Sequence, residues 1–209
     1  MKKLLFLTGT LFCLAATSQV IDKNDIIIQA GGGLGFYHWQ LTDITNNTTD
    51  GRDTSAAWNF PVHIEYGLNR WLGAGLNFTY HNFITNDSLY EIARVIDIVP
   101  VAHLHIPWGL KKFDFSAQVG FGYAKFHYEA NDPVSSNSFN ADAGGSVLIL
   151  GLNPRLYFKE NGHIALTGWY RYSKYNFKKG RAEDNTNNGY DFKIEGPANA
   201  FGLGLIFKI

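Results

Sequence analysis

The sequence predicts an all-β fold, an eight-stranded antiparallel up-and-down transmembrane β-barrel, on three observations. The last nine residues, Phe201 to Ile209, place Phe201, Leu203, Leu205, Phe207 and Ile209 on one face and Gly202, Gly204, Ile206 and Lys208 on the other. Side chains alternate faces with period two, so this reads as a strand with one wholly apolar side. An unpaired edge of that kind invites aggregation in water, whereas a barrel closed in lipid removes both the edge and the exposure. Segments with the same alternation recur along the chain, each near the ~9–11 residues of a membrane strand. Their connections alternate between short and long.

The first predicted strand runs from Ile26 to about Trp39, with Ile26, Ile28, Ala30, Leu34 and Phe36 opposite Gln29, Gly31, Gly33, Gly35 and Tyr37. The second, Trp58–Tyr66, sets Trp58, Phe60, Val62, Ile64 and Tyr66 against Asn59, Pro61, His63 and Glu65. The third, Trp71–His81, opposes Leu72, Ala74, Leu76, Phe78 and Tyr80 to Gly73, Gly75, Asn77, Thr79 and His81. In the fourth, about Arg94 to Ile106, Ile96, Ile98, Ala102, Leu104 and Ile106 face away from Asp97, Val99, Val101, His103 and His105. The fifth, from Phe113 to about Tyr128, carries Phe115, Ala117, Val119, Phe121 and Tyr123 against Asp114, Ser116, Gln118, Gly120 and Gly122. The sixth, Val147–Phe158, opposes Leu148, Leu150, Leu152 and Leu156 to Gly151, Asn153, Arg155 and Tyr157. The seventh, from His163 to about Tyr175, opposes Ile164, Leu166, Tyr170 and Tyr172 to Thr167, Trp169, Arg171 and Ser173. The eighth is Ala198–Ile209.

Short connections are expected near Leu68–Arg70, Pro107–Lys112 and Lys159–Gly162, and long polar loops at Leu41–Ala57, Asn82–Ile92, Glu129–Gly145 and Lys178–Gly196. An even strand count puts both termini on the short-turn side. Pro61, Pro100 and Pro154 fall inside strands, where each lacks a ladder donor, so bulges or slips of phase are expected there.

Met1-Lys2-Lys3, the apolar stretch Leu4 to Ala16 and the small residues Ala16-Thr17-Ser18 predict a cleaved secretory signal over residues 1–18 and a barrel over residues 19–209. The apolar stretch is too short for a membrane helix. Cys13, preceded by Phe12, belongs to the signal core, so the mature chain has no cysteine and no disulfide. Without Lys2 and Lys3, 16 basic residues stand against 18 acidic ones, a net charge of −2 that argues against a nucleic-acid partner.

The polar face decides which side looks inward. It carries Gly, Asn, Gln, Ser and His with a few charges of both signs, where a water-exposed face carries many Lys and Glu. It therefore suits the lumen of a narrow barrel, filled by side chains. Aromatic residues near segment ends, among them Phe36, Trp58, Tyr66, Trp71, Tyr80, Tyr123, Tyr170, Tyr172 and Phe207, fit interfacial girdles. The lumenal polar residues His63, Glu65, Asp97, His103, His105, Asp114, Arg155, Arg171 and Lys208 are expected to form a charge-paired network, because buried charges must be paired. His103-x-His105 also has a spacing that can hold zinc, with His63 and Glu65 at similar depth. The network is the commoner arrangement, and no metal or other cofactor is assigned.

Other motifs carry less. Gly31-Gly32-Gly33-Leu34-Gly35 resembles a phosphate loop, but strand-like residues follow it where a helix would have to start. Ser116 and Ser173 face the lumen without an evident His and acid at matching height, and no Gly-x-Ser-x-Gly elbow occurs, so no catalytic residue is assigned. Asp50-Gly51-Arg52-Asp53 lacks the spacing of a calcium loop. Lys178-Lys179-Gly180-Arg181 is a basic cluster at a predicted loop base, within reach of anionic headgroups.

These features together resemble the small eight-stranded outer-membrane barrels, the group that includes the OmpA transmembrane domain and OmpX. The resemblance covers the whole mature chain and rests on pattern, including the Gly-rich strands and the Tyr170-Arg171-Tyr172-Ser173 run. It implies export to the outer membrane of a Gram-negative bacterium. It also implies contact with outer-membrane lipids and lipopolysaccharide, and recognition of the terminal strand (Phe201, Leu203, Leu205, Phe207, Ile209) by the barrel assembly machinery. The expected role is structural or surface-interactive, with a plugged lumen and no enzymatic activity. A narrow porin-like channel is the alternative, and a lipid A-modifying enzyme the third reading.

Overall fold

The computed structural model describes residues 21–46, 48–85, 91–107, 112–131, 138–160, 162–184 and 189–209. The signal residues 1–18 lie outside that set. Eight strands form one closed antiparallel barrel: β1 (Ile26–Asp43), β2 (Thr48–Gly67), β3 (Leu72–Phe83), β4 (Glu91–Pro107), β5 (Phe113–Asn131), β6 (Ser138–Tyr157), β7 (Ile164–Asp184) and β8 (Gly189–Lys208). Each strand pairs with its sequence neighbours, and β8 returns to β1 from Ile27↔Lys208 to Asp43↔Phe192. Ile26 and Ile209 exchange both backbone hydrogen bonds, at 3.0 and 2.9 Å, so the start of β1 and the C-terminal residue sit together at the short-turn end.

The outer face is apolar over the half nearest the termini. Phe60, Val62, Ile64, Leu76, Ile98, Leu150, Leu203 and Leu205 are all exposed. A patch of this extent is unstable in water and marks contact with hydrocarbon. Tyr66 and Phe158 stand at one border of the band, and Trp58, Phe121, Tyr123 and Tyr170 toward the other.

The glycine-rich run of β1 is continuous strand, paired with β2 and β8 on either side. Its Gly-x-Gly spacing makes a seat for an indole. A Cβ on Gly33 would meet Trp169 Cζ2 at 2.6 Å, and one on Gly204 would meet the Gly31 Cα at 3.1 Å. Trp169 itself is buried in the lumen. Small residues on two adjacent strands thus admit one large residue from β7, and the phosphate-loop resemblance has no structural counterpart.

Two sequence expectations are corrected. Three of the long polar stretches, Leu41–Ala57, Glu129–Gly145 and Lys178–Gly196, are mostly strand among the described residues: Thr42↔Thr49, Asn131↔Ser138 and Glu183↔Gly189 continue the ladders far past the apolar band. Their outward residues are polar because this part of the wall stands in water, and that polarity made them read as loops. The prolines cause no slip either. Pro61, Pro100 and Pro154 each sit in register with one neighbour, opposite Thr79, Leu76 and Phe115. The pairing lapses only on the other side, and resumes there with unchanged register. In an antiparallel strand a residue's N–H and C=O point to the same neighbour, so a proline disturbs one ladder and leaves the other intact. The true irregularities lie between Gln40 and Thr42, at Gly144/Gly145 and between Phe177 and Gly180, beyond the apolar band.

Candidate functional site

The inward face is filled in successive layers from the short-turn end to the far end. The lowest is an apolar cap of Ile21, Ile27, Tyr157, Ala165 and Ile206. The segment preceding β1 turns back to form it, with Asn24 in the left-handed region (φ 76°) that asparagine tolerates. Asn24 N–H donates to the Gly67 carbonyl at 2.8 Å, and Tyr66 donates to Asn24 Oδ1 at 2.6 Å. Lys208 lies at this rim, 3.5 Å from Asp25 and over the Tyr157 ring.

Above the cap is a charged floor. Arg155 on β6 donates to Glu65 Oε2 on β2 at 2.7 Å and to Asp114 Oδ2 on β5 at 3.4 Å. His105 on β4 bridges the same carboxylates, its Nε2 2.5 Å from Glu65 Oε1 and its Nδ1 3.1 Å from Asp114 Oδ2. His63 and His103 adjoin this group, each with a ring nitrogen 3.7 Å from Glu65 Oε2. All six residues are buried. The donor atoms of His63, Glu65 and His103 lie within 4.8 Å of one another, which makes this the group among the described residues that could hold a metal ion.

A second polar layer lies farther up. Asp97 on β4 accepts from Tyr175 at 3.0 Å, faces His81 Nε2 at 2.8 Å and lies 3.5 Å from the Arg171 guanidinium. Arg171 donates to Thr79 at 2.7 Å, and Tyr37 donates to Asn59 Oδ1 at 2.8 Å. Between floor and second layer, the void lined by Gln29, Pro61, His63, Asn77, Gln118, Asn153, Trp169 and Arg171 measures about 10 Å³. That is room for roughly one water molecule.

The nine residues expected in one lumenal network are thus all inward and buried, in separate groups. Glu65, His105, Asp114 and Arg155 form the floor with His63 and His103 beside it. Asp97 and Arg171 belong to the second layer, and Lys208 pairs at the rim. The sequence also overlooked a coincidence of height. Ser116 lies in register opposite His105, which contacts Asp114. Both His105 nitrogens face carboxylates and the Ser116 hydroxyl makes no hydrogen bond, so nucleophile and base are not paired. The basic cluster stands on β7 rather than in a loop, and Arg181 is engaged by Glu183.

Over the second layer the lumen becomes aromatic. Tyr37 packs edge-on to Phe83 at 4.7 Å between centroids and against Trp39 at 5.4 Å, and Trp39 meets Tyr175 at 5.6 Å. This deck floors a cavity of about 590 Å³ at the far end of the barrel. Trp39, Leu41, Phe83, Phe126, Tyr128, Phe139, Tyr190, Phe192 and Ile194 supply its apolar walls, and Asp53, Thr54, Ser55, Thr85 and Glu91 its polar lining. Sequence reading missed this cup because most of its residues fall in stretches taken as loops. The alternation of Phe139, Ala141 and Ala143, and of Tyr190, Phe192 and Ile194, was the signal that could have revealed it.

The structure is similar to that of OprG from Pseudomonas aeruginosa, at 14% identity and a TM-score of 0.57 over 90% of this chain and 97% of that one. It is similar to a major outer membrane protein from Thermus thermophilus, at 14% identity and a TM-score of 0.53, covering 88% and 99%. The outer membrane protease OmpT from Escherichia coli follows at 9% identity and a TM-score of 0.51, covering 89% and 97%. At these identities the likeness is one of fold. No curated protein matches the sequence. The model of the outer membrane protein beta-barrel domain matches residues 4–207, nearly the whole chain, and the protein therefore belongs to that outer-membrane family.

Proposed function

We propose that this protein is a plugged outer-membrane barrel whose working surface is the aromatic cup at its extracellular end, a binding site for a small ligand with an apolar body and a neutral or cationic head. The observation that supports it is the sequence of closed layers under an open cavity. The Arg155–Glu65–Asp114 floor is buried, and the void above it measures about 10 Å³, room for roughly one water molecule. The cup of about 590 Å³ lies within the ~300–1,000 Å³ of small-molecule sites. Its lining combines seven aromatic rings with two charged residues, Asp53 and Glu91, both acidic. The barrel then serves as a rigid support for an interaction at its mouth.

Two measurements test this. The refolded protein, shown folded by its heat-modifiable gel shift, is placed in planar bilayers, where no discrete conductance is expected. Reproducible openings would overturn the plugged reading in favour of a channel. The soluble probe 4-phenylbutylamine is then titrated against the protein in lipid nanodiscs. Saturable binding is expected, and it should be lost in Ile194→Trp, which fills the cup. Equal binding by the two folded proteins would remove the cup from the proposal.

A further inference from the structure

We propose that His63, Glu65 and His103 form a binding site for a divalent transition-metal ion of the zinc type, at the periplasmic floor of the lumen. The proposal is independent of the cup. Neither ring nitrogen of His63 or of His103 makes a hydrogen bond, although the residues are only 3% and 1% exposed. An unsatisfied buried polar atom of this kind costs about 1–3 kcal/mol, and two imidazoles together need a reason to be here.

The geometry supplies one. His63 Nε2 and His103 Nδ1 each lie 3.7 Å from the same carboxylate oxygen, Glu65 Oε2. Ligands about 2.0–2.1 Å from a tetrahedral zinc stand roughly 3.4 Å apart. The two edges to Glu65 are a few tenths of an ångström longer than that, and all three donor atoms lie within 4.8 Å of one another, so the imidazoles would draw together on binding. Two imidazoles and one carboxylate form a borderline donor set of the kind zinc and its neighbours prefer over calcium or magnesium. A water molecule would take the fourth corner.

The surroundings are organised as a metal's outer shell is. Ligating carboxylates are themselves held by hydrogen bonds. Glu65 is so held on both oxygens, by Arg155 at 2.7 Å and His105 at 2.5 Å, and His105 is fixed in turn by Asp114. Among the floor's formal charges, the two carboxylates of Glu65 and Asp114 face the single guanidinium of Arg155. His105 faces a carboxylate with each ring nitrogen and so donates from both as an imidazolium, which balances the second carboxylate and leaves His63 and His103 as the neutral imidazoles open to a metal. The small void beside His63 leaves room for a water on its other nitrogen.

Local sequence makes the convergence sterically feasible. His63 and Glu65 lie on β2 and His103 on β4, with β3 between them. On β3 the inward positions at this height are Gly73 and Gly75, paired with His103 and Glu65. A Cβ on Gly75 would meet His63 Cε1 at 2.7 Å, and one on Gly73 would meet Glu65 Cγ at 3.0 Å. The two glycines remove the side chains that would separate β2 from β4, and a metal would staple those strands across β3.

The test uses the full mature barrel, refolded without a histidine tag and confirmed as folded by gel shift. The protein is incubated with zinc chloride, desalted and analysed by mass-spectrometric metal counting. About one zinc per chain is expected, falling to none in the double variant His63→Ala/His103→Ala and unchanged in His127→Ala, whose imidazole lies at the extracellular end. Should the double variant not fold, cobalt(II) bound to the unaltered protein decides. The intense visible bands of a four-coordinate nitrogen and oxygen site are expected, and their absence overturns the proposal. A folded wild-type protein that retains no zinc, or a folded double variant that retains as much as wild type, also overturns it.

Discussion

Arg155 and Glu65 meet at 2.7 Å although 90 positions separate them in sequence, one on β6 and the other on β2. Both side chains are completely buried. The contact spans the lumen and ties opposite walls of the barrel together, with Asp114 and His105 sharing the same charges.

Removal of Arg155 should therefore be among the most damaging single changes in the chain. Arg155→Ala leaves two buried carboxylates without their guanidinium, a loss of about 3–5 kcal/mol on the scale of broken buried pairs. Urea unfolding in lipid vesicles measures it, with Arg181→Ala at an exposed pair as control. A loss no larger than the control's would mean that Arg155 does not hold the floor together.

The indole seat predicts a compensating pair. Gly33→Val drives a side chain into Trp169, with overpacking of about 1–3 kcal/mol. Trp169→Ala should cost stability alone through the cavity it leaves, yet relieve part of the Gly33→Val defect when the two are combined. Strict additivity in the double-variant cycle would show that the two positions do not share space.

Depth in the membrane can be read from the outer wall. Leu152 lies within the outward apolar run Leu148–Leu156, whereas Phe158 lies just past the end of β6. Leu152→Arg should cost about 2–4 kcal/mol and Phe158→Arg about 0–1, because the penalty falls toward the interface. Unfolding from vesicles distinguishes them, and equal costs would displace the assigned band.

Pro100 offers a local test of the one-sided ladder. Pro100→Ala restores an amide facing β5, where the pairing lapses between Ile98↔Tyr123 and Val101↔Gly120. One ladder bond of about 0.5–1.5 kcal/mol is gained, offset by about 0.4–1 kcal/mol from the freer unfolded chain. Stability should hardly change, while hydrogen exchange by NMR reveals a new protected amide at residue 100. A rapidly exchanging amide there would show that the gap in the ladder is not due to proline.

Much of the membrane-embedded half was legible in the sequence. The alternation placed Gln29, Asn59, Asp97, Arg155 and Arg171 inward and Leu76, Ile98, Leu150 and Leu203 outward, as observed. The far half was not legible in the same way. The start of β8, with its outward Asp191, Lys193 and Glu195, and the start of β2 are strands that stand in water, so their polar composition gave them the signature of loops. Their inward residues nonetheless build the aromatic cup.

By itself, the sequence determined the strand number, the faces of the lipid-embedded strands and the list of polar groups committed to the lumen. These follow from period-two geometry, a local property that each segment carries alone. Only the tertiary structure decided which of those groups meet. Closure and register set the height of each inward side chain, so Glu65 is joined to Arg155, Asp97 to His81 and Lys208 to Asp25. Glycines on an intervening strand decided that His63 and His103 share one carboxylate oxygen. No local pattern encodes such meetings, because they depend on the shear and circumference of the closed sheet.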